Sequence, residues 1–135
     1  MKERPMVLVI GDAGERTAQL RAIFSRSARV MQAEDLPQAL ELLAQQDYEA
    51  VFVDWRYHCG TWRDALQRLE ALYPELPVIV ISQTSGIEEG IQEWAEVVGA
   101  GAFDLLLSVY NEPAAWSLLE HAVASGQARA MRAIA

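Results

Sequence analysis

The stretch Ala50-Val-Phe-Val-Asp54 decides the fold. Its apolar residues run without polar alternation and end on a carboxylate. An unbroken apolar run of this length suits a strand buried on both faces, as in a parallel sheet. Working outward, the pattern recurs. Met6-Val-Leu-Val-Ile10 closes on Gly11-Asp12, and Pro77-Val-Ile-Val-Ile-Ser82 closes on a hydroxyl. Ala102 to Leu107 reads as a further strand, and Ala28 to Gln32 as a weaker one.

Helical patterns fill the gaps. Glu15 to Arg26 carries Leu20, Ile23 and Phe24 at helical spacing. Asp35 is placed to cap a helix with Pro37 in its first turn and a stripe of Ala39, Leu40, Leu42 and Leu43. A loop holding Tyr57, His58, Cys59 and Gly60 leads to a helix over Trp62 to Leu72. Tyr73-Pro74 ends it, because a residue before proline avoids helical backbone. Ile87 to Val98 places Ile91, Trp94, Ala95 and Val98 on one stripe, and the glycines at 99 and 101 stop it. Glu112-Pro113 opens a last helix reaching at least Ala124, with Gly126 as a point of interruption. Trp94 and Trp116 read as helix-packing residues; exposure of either would make it an anchor for a partner.

Five strands alternating with five helices predict an α/β doubly wound (βα)5 sandwich. Right-handed crossovers leave a few doubly wound parallel orders for the five strands, of which the flavodoxin-like 2-1-3-4-5 is the expected one. Residues 1–126 form the expected domain, and 127–135 a helical tail or the start of a linker.

Composition narrows function. The chain has 135 residues, 52% of them hydrophobic and 22% charged, which is one domain's worth of core and surface. Its net charge of −8 repels phosphate backbones, which argues against direct nucleic-acid binding by this domain. Cys59 stands alone, so no internal disulfide forms, in keeping with a reducing compartment. No apolar run approaches the roughly 20 residues that span a bilayer. No secretory h-region follows Met1 to Pro5 either. A cytoplasmic protein without membrane contact is expected.

In such sheets, ligands bind beyond the carboxyl ends of the strands. Asp12, Asp54 and Ser82 end three strands there. Two carboxylates suit Mg²⁺, a carboxylate can attack a phosphoryl group, and a hydroxyl can hydrogen-bond to it. Each residue also has a plain structural reading: a strand-end Asp as turn former or helix cap, a strand-end Ser as a loop hydroxyl. The convergence of three on one rim favours chemistry. Tyr57, His58 and Trp62 could form a titratable sensor, but a loop with packed aromatics is the simpler account. His121 reads as structural.

The chain resembles response-regulator receiver domains (CheY-like), and within them the NtrC-type branch. The resemblance rests on Val7-Leu-Val-Ile-Gly-Asp12, Val51-Phe-Val-Asp54, Pro77-Val-Ile-Val-Ile-Ser82 and Ala100-Gly-Ala-Phe-Asp104. It implies Asp54 as phosphoacceptor and Ser82 as switch residue. It implies Asp12, Asp54 and the Arg56 backbone carbonyl as holders of Mg²⁺. It also implies a histidine kinase as possible partner.

The chain departs from the family at Gly11, where one acid is missing, and at Ser108, where the lysine is missing. Leu105 stands at the aromatic switch position and His58 at a customary proline. A hydroxyl cannot supply a lysine's charge. Phosphoryl transfer depends on positioning and charge, so Mg²⁺ binding is expected to be weak or absent, and phosphorylation atypical or lost. The implied function is a non-enzymatic receiver of a two-component system, the regulatory module of a bacterial transcriptional response regulator. It would meet an effector domain or a second copy through about 87–124. Two alternatives stand: a working phosphoacceptor with a relaxed Mg²⁺-dependent site, and a small-ligand-binding flavodoxin-like protein. The acid in Gly11-Asp12-Ala13-Gly14 speaks against the latter as a phosphate cradle.

Overall fold

A computed structural model of the chain describes residues 4–84, 86–107 and 112–134. The strands are β1 (Met6–Ile10), β2 (Arg29–Ala33), β3 (Ala50–Asp54), β4 (Arg56–Tyr57), β5 (Gly60–Thr61), β6 (Val78–Ile81) and β7 (Asp104–Leu106). The helices are α1 (Glu15–Phe24), α2 (Leu36–Gln45), α3 (Trp62–Leu72), α4 (Ile87–Gly99) and α5 (Glu112–Ile134). The main sheet runs β2-β1-β3-β6-β7, and every pairing in it is parallel. Setting aside the β4–β5 hairpin, this is the expected 2-1-3-4-5 order.

The apolar runs are buried because helices cover both faces of the sheet. Leu8, Ile10, Val51, Val53, Val78 and Val80 meet α2, α3 and Val97 of α4 on one face. Val7, Val9, Phe52, Ile79 and Leu106 meet Leu20 and Phe24 of α1 and Ala115, Leu119 and Ala122 of α5 on the other. Phe24 lies 5.0 Å from Phe52 and edge-on to Trp116 at 5.5 Å, so Trp116 is a packing residue as expected. Asp35 caps α2 by accepting the Gln38 N–H at 2.9 Å, with Pro37 in the first turn.

The structure departs from the sequence reading in several places. The segment after Asp54 forms an antiparallel hairpin, β4–β5, rather than an open loop. Cys59 sits at its tip with φ 66, an uncommon conformation for a residue with a side chain. Gly126 does not interrupt α5, which continues to Ile134, so the expected tail is helical as far as that residue. His121 is exposed rather than part of the packing.

The largest difference is the orientation of α4. Its inner face is Gly90, Glu93 and Val97. The apolar stripe faces outward: Ile87 is 75% exposed, Ile91 62% and Trp94 49%. The reason is local. A Cβ at Gly90 would come within 2.8 Å of the Leu107 side chain, so the helix approaches the end of β7 along a position that carries no side chain. That rotation puts Glu93, not an isoleucine, against the sheet.

Among the described residues no helix is long and apolar enough to cross a membrane. After α4, Gly101 adopts φ +111, where a Cβ would also fall on the Glu70 carboxylate. Gly101→Ala is expected to cost about 1–3 kcal/mol, measured by urea unfolding.

Candidate functional site

The register of the sheet brings the strand tips together. Ile10 pairs with Val53, and Asp54 with Ile81, so Asp12, Asp54 and Ser82 leave the sheet at one rim. The negative charge of Asp12 is felt at Asp54. The convergence read from the sequence is therefore present. Asp12 is exposed, and Gly14 rather than Asp12 is the N-cap of α1.

Asp54 is held from two sides. Its Oδ1 accepts the Trp55 N–H at 2.8 Å and lies 3.3 Å from a guanidinium nitrogen of Arg16. The same nitrogen donates to the Ser82 carbonyl at 2.7 Å. Arg16 therefore bridges the tips of β3 and β6 from the first turn of α1. The sequence reading missed it. The available signal was a basic residue one helical turn beyond Asp12 in a site short of a cation.

Burial and charge compete at Asp54. The side chain is 15% exposed and that of Arg16 is 44% exposed. A half-solvated ion pair contributes about 0–1 kcal/mol, too little to offset removal of a carboxylate from water. Burial, the largest influence, accordingly raises the Asp54 pKa above its ordinary value of 3.8, against the lowering by Arg16 and the Trp55 N–H.

Gly11 is buried where the resemblance expects an acid. A Cβ there would meet Thr17 Oγ1 at 3.1 Å and Asp54 Cβ at 3.5 Å. The Thr17 hydroxyl fills this space and donates to the Asp12 carbonyl at 2.9 Å. Arg56 opens the hairpin and pairs with Thr61, which places it directly beyond Asp54. The donor set fits Mg²⁺ poorly. One acid is absent, Thr17 stands in its place, and a guanidinium already pairs with Asp54. No group of three potential metal-ligating side chains occurs among the described residues.

Ser82 is fully buried. Its hydroxyl donates to Glu93 Oε1 of α4, with the Thr84 carbonyl also in reach at 2.9 Å, and accepts the Thr84 N–H at 2.9 Å. Leu105 is half-buried against the core, and Ser108 lies outside the described residues. Trp55 and Trp62 pack tilted against each other at 5.4 Å while His58 is exposed, in keeping with the packed-aromatics reading of this segment. The Tyr57 hydroxyl is buried without a hydrogen-bond partner, and burial pushes its pKa up to about 12.

The sign of the Asp54 shift fixes a pH dependence. An acid whose folded pKa is raised favours the fold below its unfolded value and loses that contribution as pH rises through the folded one. Asp54→Asn is therefore expected to raise the melting temperature at pH 7 by a few degrees. The gain should shrink to nothing as pH falls below the ordinary value of 3.8, as thermal melts across pH would show.

No protein-family model matches the chain. It is 27% identical over 104 residues to the response regulator protein PilR of Pseudomonas aeruginosa, a match covering 76% of this chain and 22% of that protein. The chain thus spans about a fifth of that relative's length. The structure of NtrX from Brucella abortus superposes with a TM-score of 0.84 at 20% identity, over 96% of this chain and 29% of that one. The signal receiver domain of an HD domain-containing protein from Pseudomonas fluorescens Pf-5 superposes with a TM-score of 0.79 at 21% identity, covering 98% and 96%. Strand order, helix placement and these likenesses agree: the chain has the fold of CheY-like receiver domains.

Proposed function

We propose that this chain is a receiver module of a two-component system, regulating a bacterial transcriptional response regulator without relying on phosphorylation of Asp54. The observation that carries this reading is Arg16, whose guanidinium joins Asp54 to the Ser82 carbonyl. In a working phosphoacceptor, Asp54 would have to present a free carboxylate beside a metal ion. Here the carboxylate is already paired, partly desolvated and short of one acidic neighbour.

The changes are mutually consistent. Gly11 removes a negative charge, Thr17 fills the space, Arg16 supplies a positive charge from α1, and Glu93 takes the Ser82 hydroxyl. Together they give Asp54 and Ser82 partners from within the chain, without metal or phosphoryl group, which suits a fixed regulatory state.

Such a module acts by contact. The exposed Ile87, Ile91 and Trp94 of α4 offer an apolar surface within the 87–124 region. Scattered exposed apolar residues are ordinary, but a stripe on one helix is a feature of interaction faces. An effector domain or a second copy is the expected partner there. A histidine kinase would matter only if Asp54 accepts phosphate.

Incubation with acetyl phosphate and Mg²⁺, followed by intact-mass measurement, tests this reading. The expected result is no mass increase, and no change in Trp55 and Trp62 fluorescence when beryllofluoride replaces acetyl phosphate. A phosphoryl adduct that disappears in Asp54→Asn would replace the proposal with the working-phosphoacceptor reading, in which Asp12 and Asp54 hold Mg²⁺ despite Gly11.

A further inference from the structure

Glu93 is a buried carboxylate that the Asp54 site does not use. It is 9% exposed, on the face of α4 that meets the sheet, between Gly90 and Val97. Gly90 contributes no side chain and Val97 a small one, so α4 has little apolar grip on the core along this face. Of its apolar stripe only Val98 packs against the core, while Ile87, Ile91 and Trp94 are exposed. Under those conditions one hydrogen bond to a carboxylate has leverage, since charge-assisted bonds are about twice as strong as neutral ones.

The other end of that bond is unusually well fixed. The Ser82 N–H donates to the Leu106 carbonyl at 2.7 Å, its carbonyl accepts from Arg16 at 2.7 Å, and its hydroxyl accepts the Thr84 N–H at 2.9 Å. Ser82 is thereby tied to β7, α1 and its own loop before it meets Glu93. Any movement of α4 along or around its axis must break the Ser82–Glu93 bond or drag β6 with it.

We propose that Glu93 is a positioning residue: by holding the Ser82 hydroxyl it fixes the pose of α4, and so sets how Ile87, Ile91 and Trp94 are presented to a partner. The carboxylate supplies from within the chain an acceptor for Ser82. The Asp54 rim and the apolar stripe are then one mechanical unit, linked reciprocally, so that a partner bound to α4 acts on Ser82 and hence on the Arg16 bridge. This rests on the proposed function only in taking the stripe for a docking face; the link between Ser82 and α4 stands apart from whether Asp54 is ever phosphorylated.

The test reads α4 directly. The full chain is labelled with fluorotryptophan, and the Trp94 fluorine resonance is assigned by its loss in Trp94→Phe. Ser82→Ala and Glu93→Ala are expected to shift that resonance in the same direction, and the double variant to shift it no further than either single one. Glu93→Gln, whose amide oxygen still accepts, should keep it near the original position. The Trp116 resonance, on the opposite face of the sheet, should stay in place throughout. An unmoved Trp94 in Ser82→Ala overturns the proposal, as does an additive shift in the double variant. So does an equal movement of Trp116, which would mean general loosening. If Glu93→Ala does not fold, Ser82→Ala and Glu93→Gln decide alone. Labelling of Asp54 in the unmodified chain would overturn the proposed function and leave these outcomes unaffected.

Discussion

Asp54 ends a strand whose other residues are buried on both faces, so the sheet carries its carboxylate most of the way out of water. That desolvation is the constraint around which the rim is arranged. A buried carboxylate needs hydrogen-bond donors and a counter-charge. The Trp55 N–H and Arg16 supply them, but Arg16 remains half in solvent and its attraction is screened. Burial prevails, and the group is held above its ordinary pKa. The fold tolerates an imperfectly compensated acid at the centre of its rim.

The compensation that exists ties separate elements together. Arg16 joins α1 to the tips of β3 and β6 through one nitrogen. Thr17, its neighbour, occupies the space left by Gly11 and holds the Asp12 carbonyl. Ser82 joins β6 to β7 through its backbone and to α4 through its side chain. In a rim built this way Asp54 Oδ1, the Ser82 hydroxyl and the Ser82 carbonyl are already engaged, and a new ligand at those atoms would have to displace a partner.

α4 shows what such a rim costs elsewhere. Its apolar stripe lies in solvent so that Glu93 can reach Ser82 and Gly90 can admit Leu107. Each large side chain left exposed forgoes about 1.5–3 kcal/mol of burial. A helix that exposes two isoleucines and a tryptophan while burying a glutamate reverses the usual pattern, and such reversals fall where a surface has a task.

The strands were legible because burial on both faces writes itself as unbroken apolar runs, and alternation with helices leaves few topologies. Asp12, Asp54 and Ser82 could be placed on one rim for the same reason: parallel strands end together. Asp35 and Pro37 marked the start of α2, since capping is a local matter. The sequence alone therefore carried the parallel sheet and the three strand-tip residues of the rim. It did not determine which face of α4 turns inward, because its apolar spacing fits either exposure and the choice was made by a glycine meeting Leu107. Nor did it reveal Arg16 or Glu93 as partners of Asp54 and Ser82. Those contacts span 38 (54 − 16) and 11 (93 − 82) positions and exist only once the strands and helices have packed. Local propensity and burial are written residue by residue, whereas the pairing of charges across elements is a property of the assembled structure alone.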